Sequence, residues 1–389
     1  MCDTLCAVGR ERTLFAKNSD RAPSEAQVLE ALPGRVSRGT LRTQYLEIED
    51  ADSVGILGSR PVWLWGLEHG VNANRVAIGN EQVWTIDEPD ARTPGLLGID
   101  LVRLGLERAR SADHAVDVIT ALLERHGQSG AADGEKGEAY FSSFLVADPA
   151  EAWVVETSNR TWVAKRVGPG ENSALTNRLT LRYDWERSSV DVAAGSDFDA
   201  WRDPSVGTLH ADRRLEAAGR CLKAASADDL DLGVVVRHLR DHDGDGPPPQ
   251  SYVPFGEGVT VCMHLGRHQA TTASMVAELP ADPERPVRAW AALGSPCVSI
   301  YLPCLGAPAV APGAMSRAEA WQRFADLARA TERDPLAWSE AVPPLRRLEQ
   351  ELWEEADALS PDVASWRGFV DDAWARVENA LDRALAVVA

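Results

Sequence analysis

Cys2 is the residue whose position points most directly to chemistry, because it follows the initiator Met1. Methionine aminopeptidases remove Met before a small residue, so we expect the mature chain to begin with Cys2. Its thiol and its α-amine would then belong to one residue, and an α-amine has a pKa of about 7.7–8.0. Such an amine can accept the thiol proton, which predicts a nucleophile that forms a thioester. On position alone, however, a structural Cys is the commoner case.

A second polar group, Lys17-Asn18-Ser19-Asp20-Arg21, lies just after two short predicted strands at 3–9 and 13–16. A hairpin brings the far end of its second strand back beside the start of its first. We therefore expect Asp20 to lie near the new amine, to orient it and to adjust its pKa. Asn18 and Arg21 would be available to bind substrate. The alternative is a solvated polar turn.

Further motifs follow along the chain in a fixed order. The stretches are 2–4 (CDT), 15–21 (FAKNSDR), 59–66 (SRPVWLWG), 78–84 (IGNEQVW), 98–108 (GIDLVRLGLER), 143–148 (SFLVAD), 151–157 (EAWVVET) and 271–276 (TTASMV). Together they resemble the secernin family and the related Cys-type N-terminal-nucleophile (Ntn) dipeptidases. The resemblance spans roughly residues 1–300.

The resemblance implies an Ntn-hydrolase αββα four-layer sandwich and amide-bond hydrolysis without a metal or an organic cofactor. In that pattern Cys2 is nucleophile and base, and Asp20 holds the amine. Lys17 stands where the related acylases often have Arg, which implies a substrate-binding role.

Three further site residues are implied by the resemblance alone. Asn80 resembles an oxyanion-hole donor, and Asn177 resembles the residue that hydrogen-bonds the amine or the substrate. Arg213 resembles the active-site Arg, with Arg214 as its rival because the local register is ambiguous. An Arg in the cleft could hold a substrate carboxylate in a fork.

The apolar pattern alternates between strand-rich blocks and helix pairs. The helices are predicted at 96–110, 112–126, 209–224 and 228–240, and a helical tail begins with a capping box at Ser316–Glu319. Strand blocks separated by helix pairs predict an α+β fold with two sheets and helices outside them. We expect an Ntn-hydrolase domain over 2–310 and a helical C-terminal extension over 311–389.

Charge and composition exclude several classes of partner. The net charge of -19 argues against nucleic acid and anionic membranes, which both need a positive footprint. The chain has no run of 18 apolar residues and begins without a basic stretch followed by an apolar one. We therefore expect a cytoplasmic protein that removal of Met1 alone would activate. Homo-oligomerisation is left open.

Six scattered cysteines without a CxxC pair predict no disulfide framework. Cys262, His264 and His268 suggest a metal site or a Cys–His dyad, but no matching ligand set is visible in the sequence. We favour a core strand over 258–264, with Cys262 and Cys297 as buried thiols. No metal and no cofactor are expected.

Three functions follow from these observations. The first is hydrolysis of an amide bond in a small substrate, a dipeptide, through a Cys2 thioester. The second keeps the fold and the nucleophile but takes an N-acyl amide or a lactam. The third is a secernin-like binding or scaffold protein without turnover.

Overall fold

The computed structural model describes residues 1–134, 137–244, 246–249, 258–307, 309–360 and 362–388. The chain start forms the predicted hairpin, and this hairpin lies inside a seven-stranded antiparallel sheet. The first sheet contains β1 (Cys2–Val8), β2 (Arg12–Arg21), β12 (Asn172–Leu175), β14 (Ala270–Pro280), β15 (Val287–Leu293), β16 (Leu302–Ala307) and β17 (Ala309–Val310). Its strand order is β12-β1-β2-β14-β15-β16-β17, so both hairpin strands have neighbours on each side.

The second sheet has eight antiparallel strands. They are β3 (Gln27–Leu32), β6 (Ile56–Pro61), β7 (His69–Asn72), β8 (Ala77–Val83), β9 (Phe141–Ala147), β10 (Ala152–Ser158), β11 (Thr161–Val167) and β13 (Arg187–Ser188). The order is β13-β11-β10-β9-β8-β7-β6-β3. A separate small ribbon consists of β4 (Thr40–Arg42) and β5 (Glu47–Glu49).

The two sheets face each other because alternate side chains of each strand are apolar. Phe15 of β2 and Ala77 of β8 lie in the hydrophobic cluster between the sheets. Their neighbours Ala16 and Ile78 lie in different clusters on the outer faces. Successive side chains of a strand point to opposite faces, so each sheet buries both of its sides.

Helix pairs cover both outer faces. Helices α1 (Gly98–Arg108) and α2 (Ala112–His126) pack on the second sheet. Helices α3 (Leu209–Leu222) and α4 (Leu232–Leu239) pack on the first sheet. The predicted α+β four-layer αββα sandwich is therefore confirmed.

The helical tail consists of α5 (Ala318–Arg333), α6 (Pro335–Asp357) and α7 (Val363–Val388). Its apolar side chains, among them Leu345, join the same hydrophobic cluster as the inner faces of the sheets. Helices α6 and α7 contact β16 near one edge of the first sheet. The predicted helical extension is confirmed, while its division from the rest at residue 310 stays a prediction.

Several local expectations were wrong. Residues 258–264 do not form the expected strand. They form a loop with backbone hydrogen bonds of its own, and its one β-bridge pairs His264 with Ala270. The capping box does not form, since Ser316 belongs to a preceding 3₁₀ turn and its hydroxyl donates to the Gly313 carbonyl. Strands β3, β7, β13, β16 and β17 were not predicted. Within the described residues, no helix combines the length and apolarity that a membrane span needs.

We expect Leu345→Ala to lower the free energy of unfolding by about 2–5 kcal/mol, because Leu345 is fully buried in the shared cluster. Urea denaturation followed by circular dichroism measures the change. Leu336→Ala, in the same helix at a residue 74 % exposed, is the matched control and should change it by less than about 0.5 kcal/mol. Equal effects would contradict the packing of the tail against the sheets.

Candidate active site

Cys2 lies at the start of β1, opposite Ser19 of β2, and only 6 % of it is exposed. It borders a cavity of about 460 Å³. The Met1 carbonyl accepts a hydrogen bond of 3.0 Å from the Asp20 amide, so the hairpin register brings Asp20 beside the chain start as predicted. Asp20, Arg21 and Asn80 line the same cavity.

Arg214 of α3, and not Arg213, reaches the chain start. One of its nitrogens donates to the Cys2 carbonyl at 2.9 Å and to Asp3 Oδ2 at 2.7 Å. The other donates to Asn177 Oδ1 at 2.7 Å. Arg213 is exposed, because the next residue of a helix points about 100° away. The expectation that Arg213 lies at the site is therefore corrected to Arg214.

Asn177 follows β12 and connects three parts of the site. Its Oδ1 accepts from the Cys2 backbone nitrogen at 2.9 Å, and its Nδ2 donates to the Gln82 carbonyl at 2.9 Å. The Cys2 nitrogen is the atom that becomes the α-amine when Met1 is removed. Asn177 is thus placed to accept a hydrogen bond from that amine.

Asp20 presents a buried carboxylate to the chain start. Thr271 donates to its Oδ1 at 2.7 Å, while Oδ2 has no hydrogen-bond partner among the described residues. Burial raises the pKa of Asp20 to about 6, although the nearby amino terminus acts in the opposite direction. Asp20 is therefore largely ionised at neutral pH and attracts an ammonium group.

Lys17 lies beneath the nucleophile and does not border the cavity. Its ammonium is fully buried, donates to the Asn80 carbonyl at 2.7 Å and lies 3.6 Å from Glu81 Oε1. Burial disfavours this charge, but the Cys2 side chain, Glu81 and Glu68 together raise the pKa of Lys17. The effect is mutual: burial raises the pKa of the Cys2 thiol, and the Lys17 ammonium opposes that rise.

The space for Lys17 depends on a glycine in the facing sheet. A Cβ atom at Gly79 of β8 would lie 2.6 Å from Lys17 Cδ, well inside contact distance. The aliphatic part of the lysine therefore crosses the gap between the sheets at the one position of β8 that lacks a side chain. The next residue of β8 is Asn80, so the same close approach places Asn80 above Lys17.

Asn80, which resembles an oxyanion-hole donor, lines the cavity. Its Nδ2 donates one hydrogen to Ser142 Oγ at 3.2 Å, and an amide nitrogen carries two. The second N–H is the group that could bind a developing oxyanion. The oxyanion role itself stays a prediction.

The other two residues expected to bind substrate are engaged elsewhere. Asn18 lies away from the cavity, and its Nδ2 donates to the carbonyls of Leu239 and Val261 at 2.8 and 2.9 Å. Arg21 does line the cavity, but its guanidinium is paired with Glu25 and Glu68. Asn18 therefore joins β2 to α4 and the 258–264 loop, and Arg21 organises the acidic wall.

That acidic wall was not predicted from the sequence. Five carboxylate side chains line the cavity: Asp20, Glu25, Glu68, Asp133 and Glu138. Among the described lining residues, Arg21 is the one Lys or Arg that accompanies them. The carboxylates come from residues 20 and 25, residue 68, and residues 133 and 138, so no local sequence motif predicted the wall.

A profile of Peptidase family C69 matches residues 64–198 and confirms, for this stretch, the resemblance drawn from the motifs. The match supports a hydrolase that acts on C–N bonds.

Three solved structures show weaker similarity over most of the chain. For the conjugated bile acid hydrolase of Clostridium perfringens (C2A mutant), identity is 12 %, coverage 74 % of this chain and 88 % of that one, and the TM-score 0.43. For the penicillin V acylase of Agrobacterium tumefaciens, identity is 13 %, coverage is 78 % of this chain and 86 % of that one, and the TM-score is 0.44. For the Caenorhabditis elegans ortholog of N-acylethanolamine-hydrolyzing acid amidase, identity is 13 %, coverage is 73 % of this chain and 94 % of that one, and the TM-score is 0.38. These scores are too low to assign a function or site residues.

The double variant Lys17→Met/Glu81→Gln should slow alkylation of Cys2 by iodoacetamide at pH 7 about tenfold or more. Without the ammonium, the pKa of the buried thiol rises, and each unit lowers the thiolate fraction tenfold. Glu81 is changed as well so that no buried carboxylate is left unpaired. The rate is measured by mass spectrometry of the Cys2 peptide.

Lys165→Met removes a half-buried lysine whose ammonium pairs with Asp184, and it serves as the control. Its alkylation rate should match that of the unmodified chain. An unchanged rate in the folded double variant would contradict the electrostatic role of Lys17.

Proposed function

We propose that this protein is a cysteine Ntn hydrolase that cleaves the amide bond of a dipeptide through a Cys2 thioester. The observation that carries the proposal is the position of the Cys2 nitrogen. It is hydrogen-bonded to Asn177 Oδ1 and belongs to a residue that borders the cavity, and the Asp20 carboxylate acts electrostatically on the Cys2 side chain.

The first chemical step uses the amine that removal of Met1 would expose. Burial lowers the pKa of the Met1 α-amine, one residue earlier, and the same surroundings would favour the neutral Cys2 amine that a base must be. The amine accepts the proton of Cys2 Sγ, and Lys17 stabilises the resulting thiolate. The sulfur then attacks the substrate carbonyl carbon.

The second step breaks the C–N bond. An N–H of Asn80 donates to the oxyanion, an interaction worth roughly 3–4 kcal/mol in comparable sites. The ammonium of Cys2 returns its proton to the leaving nitrogen as the tetrahedral intermediate collapses to a thioester. Water, deprotonated by the same amine, then hydrolyses the thioester and releases the acid.

The charge of the cavity supports a substrate with a free α-ammonium. Arg214 is buried and paired with Asp3, so it is not free to hold a substrate carboxylate as the sequence suggested. Glu68 lines the cavity and acts electrostatically on the Cys2 side chain. Its Oε1 accepts a hydrogen bond of 2.7 Å from Arg21. We assign the α-ammonium of the substrate to Glu68, since Asp20 is needed for the nucleophile.

Cys2→Ala should abolish turnover and leave the thermal unfolding temperature within about 2 °C. Intact mass should show that the unmodified chain lacks Met1 and that limiting iodoacetamide labels Cys2 selectively. Cys6→Ala is the control, because Cys6 is buried on the same strand and burial raises the pKa of its thiol to about 12. It should keep its activity.

Retention of Met1, or full activity of Cys2→Ala, would contradict the role of Cys2 as nucleophile. Absence of turnover and of thioester with every substrate, despite a free Cys2, would favour a binding or scaffold protein instead.

The unmodified protein should cleave free dipeptides at least about tenfold better, by kcat/KM, than their N-acetyl counterparts. A hydrogen bond to a charged group is worth about 1.5–3 kcal/mol, or roughly ten- to hundredfold. Glu68→Gln should bring the ratio of kcat/KM for free over N-acetyl dipeptides close to one. Because both values change equally when part of the enzyme is unfolded, the ratio does not depend on the amount of folded enzyme. Glu138→Gln, at an exposed position of the cavity, should preserve it.

A preference for N-acetyl dipeptides or other N-acyl amides would replace the dipeptide assignment by the second function. It would leave the Cys2 mechanism intact.

A further inference from the structure

A second group of reactive side chains lies outside the proposed active site. His242, Cys262, His264 and Cys297, here called the His242 cluster, each point one potential ligand atom at a common centre. These four atoms all lie within 4.8 Å of one another. The two cysteines and His264 are buried, and His242 is half-buried. They come from three stretches of the sequence, and the fold brings these stretches together.

The distances in the cluster fit a tetrahedral metal ion. His264 Nε2 lies 3.4 Å from Cys262 Sγ and 3.3 Å from Cys297 Sγ. In a tetrahedral zinc site with Zn–S of about 2.3 Å and Zn–N of about 2.0–2.1 Å, nitrogen and sulfur are separated by about 3.5 Å. The cluster is therefore close to the required spacing before any ion is considered.

A carboxylate orients His264 from the other side. Glu332 Oε1 of α5 lies 2.6 Å from His264 Nδ1. This contact favours the tautomer that carries its proton on Nδ1 and directs the Nε2 lone pair to the two sulfurs. Carboxylate–histidine pairs of this kind support zinc ligands in many proteins.

His242 supplies the remaining position. The centroid of its ring lies 5.0 Å from the centroid of the His264 ring, and both of its ring nitrogens are buried. Neither nitrogen makes a hydrogen bond of normal geometry in the part of the chain that the structure describes, and the side chain that interacts with this ring is Cys297 of the same cluster. Buried polar atoms normally have hydrogen-bond partners. A bond from a metal ion to one of the two nitrogens would give that nitrogen a partner.

We propose that the His242 cluster binds one zinc ion as a structural site. Two thiols lose their protons to solvent when the ion binds, so two thiolates and two neutral imidazoles neutralise Zn²⁺. Two sulfur and two nitrogen ligands in tetrahedral arrangement select zinc among common divalent ions. Four protein ligands leave no open position, which separates this site from a catalytic one.

The ion would join separate parts of the fold. His242 follows α4, Cys262 and His264 precede β14, Cys297 lies between β15 and β16, and Glu332 belongs to α5. The loop that carries Cys262 and His264 continues to Leu265, His268 and Gln269, which line the proposed active-site cavity. Zinc would thus hold one wall of that cavity against the helical tail.

The test is the metal content of the full chain, purified under reducing conditions without chelator from zinc-supplemented cells. Inductively coupled plasma mass spectrometry should find about one zinc per chain. Cobalt substituted for zinc should show the visible bands of a tetrahedral complex and the near-ultraviolet thiolate-to-cobalt bands. Cys262→Ser/Cys297→Ser should lose at least nine-tenths of the zinc.

Glu332→Gln keeps all four ligands and guards against a double variant that fails to fold. It should weaken zinc binding about ten- to hundredfold in competition with a chromophoric chelator. Cys304→Ala, which removes a buried thiol outside the cluster, should keep full zinc content. Cys2→Ala should also keep it, so this result does not depend on the proposed hydrolase activity.

Two results would overturn the proposal. One is an unmodified chain that holds less than a tenth of an equivalent of zinc and gives no tetrahedral cobalt spectrum. The other is a Cys262–Cys297 disulfide, found by peptide mapping in protein that was never exposed to an oxidant.

Discussion

The buried guanidinium of Arg214 determines where the start of the chain can lie. Only 1 % of this side chain is exposed, and Asp3 neutralises its charge at 2.7 Å. Breaking a buried ion pair by removing one partner costs about 3–5 kcal/mol, because an uncompensated charge remains. Helix α3, the first residues of β1 and Asn177 therefore stay in one arrangement. Every distance at the proposed nucleophile depends on that arrangement.

The layer between the sheets is not uniformly apolar, and its polar part belongs to the proposed chemistry. Lys17 and Glu81 form a buried pair, and Thr4 donates a hydrogen bond to Glu81. Burial raises the pKa of Glu81 to about 7, against the effect of Lys17. Such a group is costly in a core and is tolerated when each member has partners. Here it brings a positive charge to the back of the Cys2 thiol.

The two sites proposed for this protein share one structural region. Asp20 accepts a hydrogen bond from Thr271 of β14, and Gln269 donates to the Asp20 carbonyl at 3.3 Å. The loop that leads into Thr271 carries Cys262 and His264. A zinc ion in the His242 cluster would act on the cavity through this loop, by limiting its motion and not by contact with substrate. Chemistry and rigidity would then come from different residues of one segment.

The sequence by itself predicted the N-terminal hairpin and most of the helices, and it indicated the candidate nucleophile. The hairpin at the chain start, the helix over 112–126 and the placement of Asp20 beside the chain start are local properties, and they were predicted correctly. Local hydrogen bonding and strand pairing decide such features, so they can be read from neighbouring residues.

Only the tertiary structure decided which side chains meet. Arg213 and Arg214 are adjacent in sequence, and the packing of α3 on the first sheet buries one and exposes the other. The acidic wall around Glu68 and the His242 cluster each combine residues from distant segments. Their proximity follows from sheet order and helix packing, which no short stretch of sequence contains.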